Sequence, residues 1–104
     1  AFNIKDDNFE AIVAEGKPVV LDFLGYMVWS LQEIAPYIEE LAEEYKDKVN
    51  IGKCDVDENA DLPAQFGVRN IPTVLFIKNG EVVDKQVGAT TKSALQAKVE
   101  ALLK

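Results

Sequence analysis

The 104-residue chain has no histidine and a single cysteine, Cys54. Without histidine there is no Ser-His-Asp or Cys-His relay and no imidazole metal ligand. One cysteine closes no internal disulfide. Basic residues are in the minority: 11 Lys and Arg stand against 18 Asp and Glu, a net charge of −7. A phosphate-binding surface needs clustered cations, which argues against nucleic acid as a partner. The same sign disfavours adsorption to an anionic membrane, and no run approaches the roughly 20 apolar residues of a membrane helix. No leader is visible at the start, although a mature chain would have shed one; the default expectation is a soluble protein of cytoplasmic type. Linkers, repeats and low-complexity tracts are also missing, so the chain reads as one domain over 1–104. With 48% hydrophobic residues, a core of this size is stable without metal or disulfide.

What is present follows an alternating order. Phe2-Asn3-Ile4 is a short edge strand. Asp6 or Asp7 caps a helix running to about Glu15, with Phe9, Ile12 and Val13 on one face, and Gly16-Lys17-Pro18 ends it. Val19 to Leu24 is an apolar run interrupted by Asp22, which suits a strand covered on both faces. Val49 to Val56 and Val74 to Ile77 are further strands, and Asn79-Gly80 turns the second back into Glu81 to Val87. Leu31, Ile34, Ala35, Ile38, Leu41, Ala42 and Tyr45 recur at three- and four-residue steps, an apolar helix stripe with Pro36 inside it as a kink. Glu39, Glu40, Glu43 and Glu44 form its solvated face. Asn59 caps a short helix through Phe66, ended by Gly67. Thr91 or Ser93 opens a last helix with Leu95, Val99, Leu102 and Leu103 inward. The order β-α-β-α-β-α-β-β-α makes an α/β chain with a mixed central sheet flanked by helices on both faces. Cys54 falls in mid-strand and reads as a small buried hydrophobe, inert as a thiol.

Several pieces, in this order and spacing, resemble the thioredoxin family: Val19-Val20-Leu21-Asp22-Phe23, Ile34-Ala35-Pro36, Val56-Asp57-Glu58-Asn59, Phe66-Gly67-Val68-Arg69-Asn70-Ile71-Pro72-Thr73, Phe76-Ile77-Lys78-Asn79-Gly80 and Val87-Gly88-Ala89. The resemblance covers nearly the whole chain and implies the thioredoxin fold. It implies that Asp22 is the family's buried aspartate, Pro36 the kink proline, Pro72 the cis-proline facing the redox centre, and Gly88 the glycine lining the substrate groove. One stretch departs from the pattern. Where the family has Trp-Cys-Gly-Pro-Cys-Lys, this chain aligns Met27-Val28-Trp29-Ser30-Leu31-Gln32, preceded by Leu24-Gly25-Tyr26 and followed by Glu33.

Thiol-disulfide exchange needs a nucleophilic thiolate and a resolving thiol, and Val28 and Leu31 are neither. The expectation is therefore a redox-inactive chain that is not an enzyme, with no catalytic residue, metal or cofactor and with Asp22 kept as a scaffold relic. Leu24 to Leu31 occupies the rim beyond a central strand, where open α/β sheets place ligands. Aromatic and aliphatic side chains there make an apolar patch of the kind that marks interaction surfaces. Leu24, Tyr26, Met27, Val28, Trp29, Ser30 and Gln32 are the expected binding residues, extended by Ile71, Pro72, Ala89 and Thr90, with Tyr37 at the margin. Covering a Trp, a Tyr and a Met removes about 400–500 Å² of apolar surface, on the order of 10 kcal/mol before association costs. The expected partner is a protein with an apolar groove or pocket edged with positive charge; self-association through the rim is the other pairing. So concentrated an apolar block reads as an engineered surface. The alternatives are a natural non-redox binder of extended peptides, a designed small-molecule site using lysine or Asp22 chemistry, and a folding variant without a partner.

Overall fold

The computed structural model describes residues 1–25 and 34–104. Nine elements follow one another: β1 (Phe2–Asn3), α1 (Phe9–Ala14), β2 (Val19–Leu24), α2 (Ala35–Glu44), β3 (Asn50–Asp55), α3 (Asp61–Gln65), β4 (Thr73–Lys78), β5 (Glu81–Val87) and α4 (Lys92–Leu102). The strands form one sheet in the order β1-β3-β2-β4-β5. β1, β3 and β2 are parallel, while β4 runs antiparallel to β2 and to β5. This is the α/β arrangement expected. Asn79 and Gly80 both have positive φ, 55° and 79°, the geometry of a tight two-residue hairpin turn.

The two-residue period of the strands divides the core. Val19, Leu21 and Phe23 of β2 pack with Phe9, Ile12 and Leu62 on the α1/α3 face. Val20 packs with Ile38, Leu41, Leu95 and Val99 on the α2/α4 face, where Val74 and Phe76 of β4 join it. Asp22 shares Val20's side. Cys54 lies on the opposite face, with Leu21 and Phe23. No helix among the described residues is long and apolar enough to cross a membrane.

Helix ends depart most from expectation. Pro36 stands in the first turn of α2, a position where proline is tolerated; the earlier part of the expected helix, from Leu31, lies outside the described residues. Asn8, not Asp6 or Asp7, precedes α1. Asp6 instead reaches across the fold to α3, its carboxylate accepting from Asp61 N at 3.2 Å and Leu62 N at 2.9 Å. Asn59 caps no helix; it accepts from Asp6 N and donates to the Asp55 carbonyl. Thr91 does cap α4, accepting from Ala94 N at 3.2 Å. Leu103 lies past that helix and is exposed.

Candidate functional site

The rim takes shape where β2 ends against the loop before β4. Leu24, the last residue of β2, is half-buried. The next residue, Gly25, is buried, and a Cβ there would come within 2.5 Å of Ile71 Cδ1. Glycine is what allows the chain to pass Ile71 at that distance. Ile71–Pro72 is a cis peptide, as the resemblance implied. The Pro72 carbonyl accepts from Gly88 N at 2.8 Å, and Gly88 has φ +86°, a left-handed residue that ends β5 against the proline, with Ala89 and Thr90 next in the chain. Leu24, Ile71, Pro72, Ala89 and Thr90 are thus gathered at one end of the sheet. They are not equally presented: Ala89 is exposed, Leu24, Ile71 and Thr90 are half-buried, and Pro72 is buried. Tyr26, Met27, Val28, Trp29, Ser30 and Gln32 lie outside the described residues. Tyr37 is half-buried against the α2/α4 core.

Beneath the rim, Asp22 is 4% exposed. Its Oδ1 has no hydrogen-bond partner among the described residues. Burial pushes its carboxyl up to about 7; Lys53, its register neighbour on β3, pulls the other way, and Glu39 reinforces the rise. A cavity of about 330 Å³ adjoins it, walled by Leu24, Ile38, Glu39, Lys53 and Asp55. Such an arrangement can take up and release a proton near neutral pH.

Cys54 is fully buried in mid-β3. Burial foremost, then Asp6 and Asp55, pushes its thiol up to about 11. It pairs in register with Phe23 and faces the α1/α3 core, so the sheet separates it from Asp22. Nucleophilic sulfur requires the thiolate, which this setting suppresses. The described residues contain no cluster of three or more His, Cys, Asp or Glu suited to a metal.

Sequence reasoning missed two residues near the rim. Arg69, in the loop after α3, and Lys85, on β5, line one cleft with Thr73 and Leu75. The hairpin turn at Asn79-Gly80 hinted at the pairing of β4 with β5, but the face Lys85 takes depends on an irregularity near Val83.

The thioredoxin family profile matches residues 1–101. The chain is 49% identical over 94 residues to thioredoxin of Haemophilus influenzae, covering 89% of this chain and 88% of that one. It is 40% identical over 100 residues to thioredoxin of Chlorobaculum thiosulfatiphilum, with 95% and 93% covered. To thioredoxin of Acidithiobacillus ferridurans it is 38% identical over 101 residues, with 96% and 94% covered. These matches correct one expectation. The sequence reading made the chain a non-enzyme, yet relatives at 36–49% identity carry the name thioredoxin, an oxidoreductase. The non-enzyme assignment is withdrawn. The cysteine count stays as composition: Cys54 alone, without a second thiol in the chain.

Proposed function

Because the chain belongs to the thioredoxin family, we propose that it uses that family's rim, at Leu24, Ile71, Pro72, Ala89 and Thr90, to dock a protein partner with an apolar groove or pocket. The stretch from Tyr26 to Gln32 supplies the anchors, with Val28 and Leu31 standing at the two cysteine positions of the family pattern. One observation carries the reading: Leu24, Ile71, Ala89 and Thr90 leave apolar surface at the end of the sheet around Pro72, while the chain's only cysteine lies elsewhere, fully buried in mid-β3. The concentration of Tyr26, Met27, Val28 and Trp29 in one short block supports a designed surface.

Partner segments selected from an arrayed peptide library test it by calorimetric titration. Trp29→Ala is expected to weaken the tightest binder at least tenfold, as a central aromatic anchor does; unchanged affinity removes that anchor. Binding of many unrelated unfolded chains would instead favour a chaperone-type role, and concentration-dependent dimers would favour self-pairing. Disulfide exchange is read separately by insulin reduction. Background rates support docking as the rim's role; catalytic turnover assigns the rim to the exchange chemistry of the named relatives.

A further inference from the structure

A cleft of about 210 Å³ opens between the loop after α3 and the β4–β5 hairpin, lined by Phe66, Val68, Arg69, Thr73, Leu75 and Lys85. Its floor is apolar and anchored. Leu75 is buried, and Phe66 meets Phe9 edge-on at 5.6 Å and lies 6.5 Å from Phe23. The Thr73 hydroxyl is already committed to the Asn70 carbonyl. Arg69 and Lys85 are exposed at the mouth, and neither side chain has an ion pair or hydrogen bond among the described residues.

The sign of this cleft runs against the chain. Four other clefts, of about 230–370 Å³, each set a carboxylate beside their lysines: Glu39 and Glu43 in one, Asp22, Glu39 and Asp55 in the next, Asp84 in a third, Asp55 and Glu58 in the last. Among the described residues, the lining of the Arg69/Lys85 cleft has two cations and no acid, on a chain of net charge −7. It also continues the rim. Asn70 in its lining precedes Ile71, and Val87 precedes Gly88, whose N–H is held by the Pro72 carbonyl. A polypeptide crossing the rim therefore reaches the cleft within a few residues.

We propose that this cleft is a docking subsite for one acidic side chain, an Asp or Glu, of the partner segment that crosses the rim. The inference rests on the rim-docking reading. Arg69 offers a planar fork that pairs with a carboxylate through two hydrogen bonds, Lys85 adds a point charge, and the apolar floor takes the methylenes. The volume lies below that of ordinary ligand pockets and suits a side chain, not a cofactor. A phosphate dianion meets about twice the long-range repulsion of a carboxylate from an acidic chain. The net charge of −7 over the whole molecule favours a partner with basic edges; at this spot the preference reverses.

Amide NMR with small blocked peptides tests the subsite. N-acetyl-Phe-Glu-amide is expected to shift Val68, Arg69, Asn70 and Lys85 and to bind about fivefold more tightly than N-acetyl-Phe-Gln-amide. Rising salt narrows the gap. The double change Arg69→Gln with Lys85→Gln erases it, and both residues are exposed, so the fold is expected to survive. Equal binding of the two peptides, an unchanged ratio in the double variant, or displacement of the Glu peptide by a lower concentration of inorganic phosphate overturns the proposal. Failure of rim docking is read at other positions: partner segments that leave Ile71, Ala89 and Thr90 unmoved count against the rim, whereas equal Glu and Gln binding counts against the cleft alone.

Discussion

On the α1/α3 face of the sheet, Cys54 sits among Ile4, Leu21, Phe23 and Leu62 with no exposed surface. On the α2/α4 face, one register position along the β2–β3 pair, Asp22 is almost as deeply buried, yet its Oδ1 has no partner among the described residues. Both groups can ionise, and both are pushed toward their neutral forms by loss of water. The consequences differ because their ordinary pKa values differ. A thiol is neutral at physiological pH in any case, so burying it costs nothing electrostatically. A carboxyl is ionised when unfolded and must either take a proton or carry a charge into the core. One face is closed to pH across the ordinary range, and the other responds within it.

The largest expected effect breaks that asymmetry at Asp22. Its carboxyl moves from an ordinary 3.8 to about 7 in the folded chain. Between those values the folded state binds a proton that the unfolded state has released, so stability falls as pH rises through the window. The gap corresponds to a loss on the order of 4 kcal/mol between pH 4 and pH 8. Asp22→Asn keeps the shape and removes the titration. Denaturant midpoints across that range are expected to decline steeply in the parent chain and to stay flat in Asp22→Asn; equal slopes would mean that Asp22 is not the group responsible.

A smaller effect sharpens the other side. Cys54→Ser places a hydroxyl among aliphatic and aromatic neighbours, at an expected cost of about 1–3 kcal/mol. The decline between pH 4 and pH 8 is expected to persist unchanged, because that belongs to the opposite face. What changes lies at high pH. The folded thiol holds its proton up to about 11 against an ordinary 9.0, so the parent chain loses stability as pH rises through that interval and the serine variant lacks this loss. A thiol reagent is expected to label the parent only after denaturant is added; rapid labelling of folded protein would contradict the buried setting.

The strands were more legible than the helix ends. Val19–Leu24 and Glu81–Val87 match the apolar run and the stretch after Asn79-Gly80 residue for residue, because an apolar run bounded by Pro18 and Gly25 and a turn with two positive φ values are local signals. Capping was misread because it is not local here. A rule that gives each Asp or Asn to the nearest helix assigns Asp6 to α1 and Asn59 to α3, while the fold brings Asp6 to α3 from 55 positions away. The cleft was invisible for a related reason. The register shift leaves Phe76 opposite Asp84 and Ile77 opposite Val82, so Val83 is an extra residue on β5. That shift puts Lys85 opposite Leu75, on the α1/α3 face, where an unbroken hairpin would have given the position to Asp84. Nothing in Val82-Val83-Asp84-Lys85 marks it. At the rim, Leu24, Ile71, Pro72, Ala89 and Thr90 come from three separate stretches of chain, a grouping that no local pattern shows.

The smallest effect separates the two readings of Asp6. If it capped its own neighbour, Asp6→Ala would loosen α1. The structure instead has both its carboxylate oxygens on the first N–H groups of α3, while α1 is preceded by Asn8, whose Oδ1 accepts from Lys5 N at 2.7 Å. Removing such a cap costs about 1 kcal/mol. The expected loss is of that size and is felt in α3: hydrogen exchange at Asp61 and Leu62 should quicken while Ile12 and Val13 keep their protection. Asp7→Ala, at an exposed position next door, is the control and is expected to leave both helices as they are. Faster exchange in α1 with α3 unmoved would restore the local reading and remove the long-range tie between the chain's start and the helix that leads into the rim.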